Sequence, residues 1–174
     1  VFKRVLSIFS VLLLGASLLT SQAAFANADT SSAVGYWMTL DHKNHNAYSS
    51  VIQIIKGADG TLSGKIIHIF PEAGHKVTDK CVFCKGELHN TPILGMRLVW
   101  GFRPDPNAPG HYIDGHVLDP QSGNVYKCTM WLSNKGQQLT VHGYIGISLF
   151  GRSDVWLRTH PVSSTNTKAA KASK

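Results

Sequence analysis

Residues 48–70 read YSSVIQIIKGADGTLSGKIIHIF, two runs of β-branched side chains joined by Gly57-Ala58-Asp59-Gly60. Val and Ile lose rotamer freedom in a helix and pack well on a pleated surface, so both runs read as strands. The joining glycines supply the positive φ that a tight hairpin turn needs. The same grammar repeats outward from this hairpin. MRLVWGFR (96–103) and HYIDGHVL (111–118) flank PDPNAPG, and VYKCTMWL (125–132) and QLTVHGYIG (138–146) flank Ser133–Gln137. GYWMTL (35–40) opens the series and FGRSDVWLR (150–158) closes it. About eight strands joined mostly by short turns, with no helix-length amphipathic window, predict an all-β chain closed as an eight-stranded antiparallel up-and-down barrel.

Strict alternation assigns the faces. It places Leu62, Ile66 and His68 with Gly64 and Phe70 on one side of their strand. Met96, Leu98, Trp100 and Phe102 share a face of the next, and Tyr126 and Met130 share one with Cys128 and Leu132. These apolar faces are the expected interior, so Leu62, Ile66, His68, Met96, Leu98, Trp100, Phe102, Tyr126 and Met130 are the candidate lining of a ligand cavity. His68 is its candidate polar anchor. Eight strands can equally be filled by their own side chains, and both readings stay open. His111 and His116 fall on opposite faces by the same parity.

Both ends of the chain differ from the middle. Residues 1–28 have a basic start (Lys3, Arg4), an apolar run Val5–Leu19 and small residues before Asp29, the pattern of a secretory signal. The run is shorter than a spanning helix and broken by serines, so no transmembrane segment is expected after processing. Residues 161–174 are small, polar and dotted with lysine, and read as a disordered tail. The expected domain is therefore 29–160, exported to the periplasm or beyond. Within it twelve basic side chains stand against ten acidic ones. No Lys/Arg cluster interleaved with aromatics remains, which excludes a nucleic-acid partner.

One stretch, from Pro71 to Pro92, has no strand pattern, and loops this long are usually functional or tied down. It contains CVFC (81–84). The next residue is Lys85, so the haem-attachment reading fails, and no strand-then-helix setting supports a dithiol redox site. His75, Cys81, Cys84 and His89 would make a zinc set, but an exported chain meets an oxidising compartment that joins paired thiols. The reading taken is a Cys81–Cys84 staple, with Cys128 left as a small buried hydrophobe. Neither a metal nor another cofactor is expected. No nucleophile elbow, metalloprotease helix motif, phosphate loop or paired-carboxylate frame occurs, so the chain is not expected to be an enzyme. The alternative to a ligand carrier is a filled barrel that meets a protein through the 71–92 loop, with Val82 and Phe83 as its anchors.

GYWMTLD, SVIQI, GTLSGKI, CVFCKG, DPQSGNVY, LTVHGYIG and LFGRSDVWLR together resemble, in order and spacing, the bacterial secreted family called domain of unknown function 2147. The resemblance runs from about Gly35 to Arg158. It implies an exported lipocalin-like barrel with a small hydrophobic or amphipathic ligand. It also implies that Gly35 and Trp37 match the lipocalin G-x-W signature at the closed end. There an arginine of the last strand lies over the Trp ring, with Arg158 the first candidate and Arg152 the second.

Overall fold

The computed structural model describes residues 30–41, 47–71, 76, 79–149 and 151–161. The expected signal segment, nearly all of the expected tail, and His75 lie outside these residues. Eight strands, β1 (Gly35–Leu40), β2 (Tyr48–Lys56), β3 (Leu62–Ile69), β4 (Arg97–Pro104), β5 (His111–Asp119), β6 (Asn124–Ser133), β7 (Gln138–Tyr144) and β8 (Gly151–Thr159), follow one another. Each pairs antiparallel with its sequence neighbour, and β8 returns to β1, closing the barrel. Closure leaves no unpaired sheet edge. The β2–β3 turn works as its sequence implies. Gly60 adopts φ 80°, and Asp59 accepts hydrogen bonds from the Thr61 backbone N–H and hydroxyl.

The strands are not ideal, and their irregularities decide which side chains face inward. Between β2 and β3 the pairing steps from Ile52↔Ile66 to Val51↔His68, leaving Ile67 as an extra residue. A bulge reverses the parity beyond it. Ile69, paired with Ser50, therefore turns into the barrel, while His68 turns out and packs edge-on against Phe70, with ring centroids 4.6 Å apart. The β3–β4 register shifts twice, and Gly101 in β4 takes φ 79°. Val99 and Phe102 both enter the core as a result, and Trp100 is sent outside, where it stacks on His116. A further bulge between Tyr112 and Gly115 puts His111 on the outer face with His116, against the parity expectation. There His111 stacks on Trp131. Strand β6 pairs with β7 without a register shift, and Tyr126, Cys128 and Met130 share a face as expected.

Candidate functional site

The two ends of the barrel are built differently. At one end Trp37, Ile54, Phe102, Met130 and Leu139 are fully buried. The segment ahead of β1 crosses this end and is held by the core beneath it. The Ala33 N–H donates to the Tyr112 hydroxyl (2.9 Å), and the Trp37 indole N–H donates to the Ala33 carbonyl (2.8 Å). The Arg158 guanidinium lies over the Trp37 ring at 4.3 Å from its centroid. It donates to three carbonyls, those of Ser32 (2.6 Å), Gly136 (2.6 Å) and Val34 (3.3 Å). A planar, always-charged group with several fixed donors suits this task better than an ammonium would. Arg158 thus ties β8, the β6–β7 turn and the N-terminal segment over one indole. Arg152 sits at the other end of the barrel.

Among the described residues that other end is open. A cavity of about 1060 Å³ occupies it. Ile66, Ile69, Leu98, Val117, Val141 and Trp156 form its apolar wall. A polar strip faces them from β1, β2 and β8. Thr39 and Ser50 are buried there with their hydroxyl oxygens 2.8 Å apart. Asp154 pairs with Val141 and Arg152 with Gly143, which turns both β8 side chains toward the lumen and its mouth. Gly143 itself is inward, since a Cβ there would meet Val117 and Tyr126.

The candidate lining therefore divides. Ile66, Leu98 and Tyr126 lie on the cavity wall. Leu62, Phe102 and Met130 belong to the packed half. His68 and Trp100 are displaced to the outer surface by the bulges described above. Met96, one residue ahead of β4, joins Cys81, Cys84 and Leu118 in a second small core beneath the long loop. Thr39, Ser50, Ile69, Val141, Asp154 and Trp156 were not among the candidates. Parity from Trp37 would have found Thr39, and parity along β8 would have grouped Arg152, Asp154 and Trp156.

The long loop forms part of the rim, and Asp79 and Ile93 reach the cavity. Cys81 and Cys84 are joined as a disulfide, and both are buried. Joined sulfurs offer no thiolates to a metal, which removes the zinc set. The loop seats on the β5–β6 turn at Gly123, where a Cβ would lie 1.9 Å from the Phe83 carbonyl oxygen. Among the described residues no three metal-ligating side chains cluster.

Cys128 is fully buried in the main core. Burial pushes its thiol up to about 12 from an ordinary 9.0, with the Asp154 carboxylate adding to the rise against a lowering backbone hydrogen bond at His142. The folded protein then keeps a proton that the unfolded chain gives up above about pH 9. This contribution is fully present below that pH and is lost as pH climbs toward about 12, at up to about 1.4 kcal/mol per pH unit. Urea midpoints on either side of the unfolded thiol's pKa should show this fall, and Cys128→Ala should lessen it. A variant with the undiminished slope would sink the assignment.

The family model described as "Uncharacterized protein conserved in bacteria (DUF2147)" matches residues 35–158. The chain belongs to this family. A solved structure, Helicobacter pylori protein HP1028, described as belonging to the lipocalin family, is similar in fold with a TM-score of 0.61. That similarity spans 82% of this chain and 91% of the other at 17% sequence identity. Comparison with curated proteins gives no match. The lipocalin-like architecture is thus seen both in the closed eight-stranded barrel and in a structure of very different sequence.

Proposed function

We propose that this chain is an exported binding protein that carries a small apolar or amphipathic molecule in the open half of its barrel, and that it does no covalent chemistry. One observation carries the reading. The cavity joins an apolar wall to a short polar strip at an open mouth, with a volume near the upper end of the ligand-pocket range, about 300–1,000 Å³. Such a lining suits a molecule with an aliphatic body and one hydrogen-bonding group, the body lying on Ile69 and Trp156 and the polar group meeting Thr39, Ser50 or Asp154. The lipocalin-like shape of the barrel supports the same reading. No helix among the described residues is long and apolar enough to cross a membrane, and a disulfide suits an oxidising compartment. A barrel filled throughout would have favoured the protein-interaction alternative; here the filling stops halfway.

Trp156 allows a direct test, because it lines the cavity while Trp100 and Trp131 stack on the outer face. A brominated fatty acid or isoprenoid titrated into the protein should quench tryptophan emission to a plateau. Trp156→Phe should remove most of that quenching. A titration that never saturates, or one unchanged in Trp156→Phe, would show that the cavity does not hold such chains. Native mass spectrometry of the cell-purified protein should show mass that leaves on denaturation, and a processed chain beginning at Asn27 or Asp29.

A further inference from the structure

Large apolar side chains on the described surface are unevenly placed. The five most exposed are Leu149 (81%), Ile145 (74%), Phe83 (63%), Ile147 (62%) and Val82 (53%). All five lie on two loops, β3–β4 and β7–β8, and both loops are at the open end of the barrel. The first loop folds over onto the β5–β6 turn, and β6 and β7 separate that turn from the second loop, so the two tips stand at separate places on the rim of the mouth.

Neither tip is slack chain. The first is held by the Cys81–Cys84 bond and by its seat on Gly123. The second is clamped from below by His142. Its Nε2 donates to the Ser148 carbonyl (2.8 Å), and its Nδ1 lies 2.8 Å from the Ser153 hydroxyl. Gly151 passes so close that a Cβ there would sit 2.5 Å from His142 Nε2. Exposed apolar surface of this kind, held outward by the fold, marks a place where water is to be displaced.

We infer that the open end of the barrel docks on a lipid bilayer, with the two apolar tips inserted from separate places on the rim of the mouth. The geometry separates this occupant from a protein. A specific protein interface needs a continuous, closely packed patch of about 800 Å² per partner. Here two separate protrusions stand on the rim of a hole. Fluid acyl chains accept separated apolar tips without any matching shape, and burial of each tip adds to the affinity. Charge is a minor contributor: residues 29–160 carry twelve basic side chains against ten acidic ones. Arg152 shares the mouth with Asp79, Asp119 and Asp154, so insertion of the apolar tips rather than attraction to anionic headgroups carries the docking. Docking in this pose points the cavity at the lipid, but it does not depend on the cavity being loaded.

The test is co-sedimentation of the cell-processed chain, without added ligand, with phosphatidylglycerol–phosphatidylethanolamine vesicles. Wild type should pellet with them. Ile147→Asp/Leu149→Asp and Phe83→Asp should each lower the partition coefficient about tenfold or more, since each puts a charge where an apolar side chain is to be buried. Ile55→Asp, at an exposed site on the closed end, should not. All four positions are at the surface, and circular dichroism verifies that each variant keeps the fold. The inference is overturned if wild type stays in the supernatant, or if Ile55→Asp loses as much binding as the loop variants. It is also overturned if wild type is a dimer that Leu149→Asp dissociates, because the tips would then meet a second copy. A failed quench at Trp156 with intact vesicle binding would remove the cavity reading and leave this one standing.

Discussion

Trp37→Ala is expected to lower the unfolding free energy by about 3–5 kcal/mol, the range for removing a large aromatic from a packed core. The indole is fully buried, and three effects combine at it. A cavity opens at the closed end. The Ala33 carbonyl loses its indole donor. Arg158 loses the ring on which its guanidinium lies. Urea denaturation read by circular dichroism measures the change. Trp37→Phe should recover much of the packing but leave the Ala33 carbonyl without a side-chain donor, at about 1–3 kcal/mol. In a double-mutant cycle with Arg158→Ala, the two losses should be markedly non-additive, because one contact network contains both. A Trp37→Ala loss below about 1 kcal/mol would mean that the plug is not part of the cooperative core.

Gly115→Ala is the second large effect, and it comes from a single methyl group. A Cβ at this position would lie 2.3–2.4 Å from three carbon atoms of the Phe102 ring. Phe102 is fully buried, so the ring has no solvent to retreat into. Overpacking usually costs about 1–3 kcal/mol, and a rigid aromatic pressed by backbone-attached carbon belongs at or above the top of that range. Phe102→Leu should partly restore stability in the Gly115→Ala background while destabilising the wild type. That reversal of sign is the diagnostic outcome. If Gly115→Ala proves as stable as wild type, the ring does not lie over the glycine.

Both predictions come from the filled half, which the sequence displayed most openly. Trp37, Phe102 and Met130 stood out as large apolar residues in strands with clean turns on both sides. The open half was harder to read. Its apolar wall depends in part on Ile69, whose facing follows a bulge, and its polar strip on Thr39, Ser50 and Asp154, whose side chains look like ordinary solvent-facing residues in a strand. His68 and Trp100 were placed inside by alternation, and each lies near a register shift. An alternating pattern carries no mark of where one extra residue has slipped into a strand, because the bulge is set by pairing with the neighbour and by barrel curvature.

Local chemistry was enough for what the chain must do with itself. Turn glycines, β-branched runs and the absence of helical periodicity determined eight consecutive antiparallel strands, because each of those signals acts within a few residues. The spacing of Cys81 and Cys84 likewise admitted a bond that needs no distant partner. Only the tertiary structure decided what the barrel contains. Whether a lumen is filled or hollow depends on the sum of side chains delivered to each level by eight strands, after every bulge has taken effect. That sum closes over Trp37 at one end and leaves about 1060 Å³ at the other. The exposed tips follow the same logic: Phe83 and Leu149 are far apart in the chain and come to the rim of one mouth only in the closed barrel.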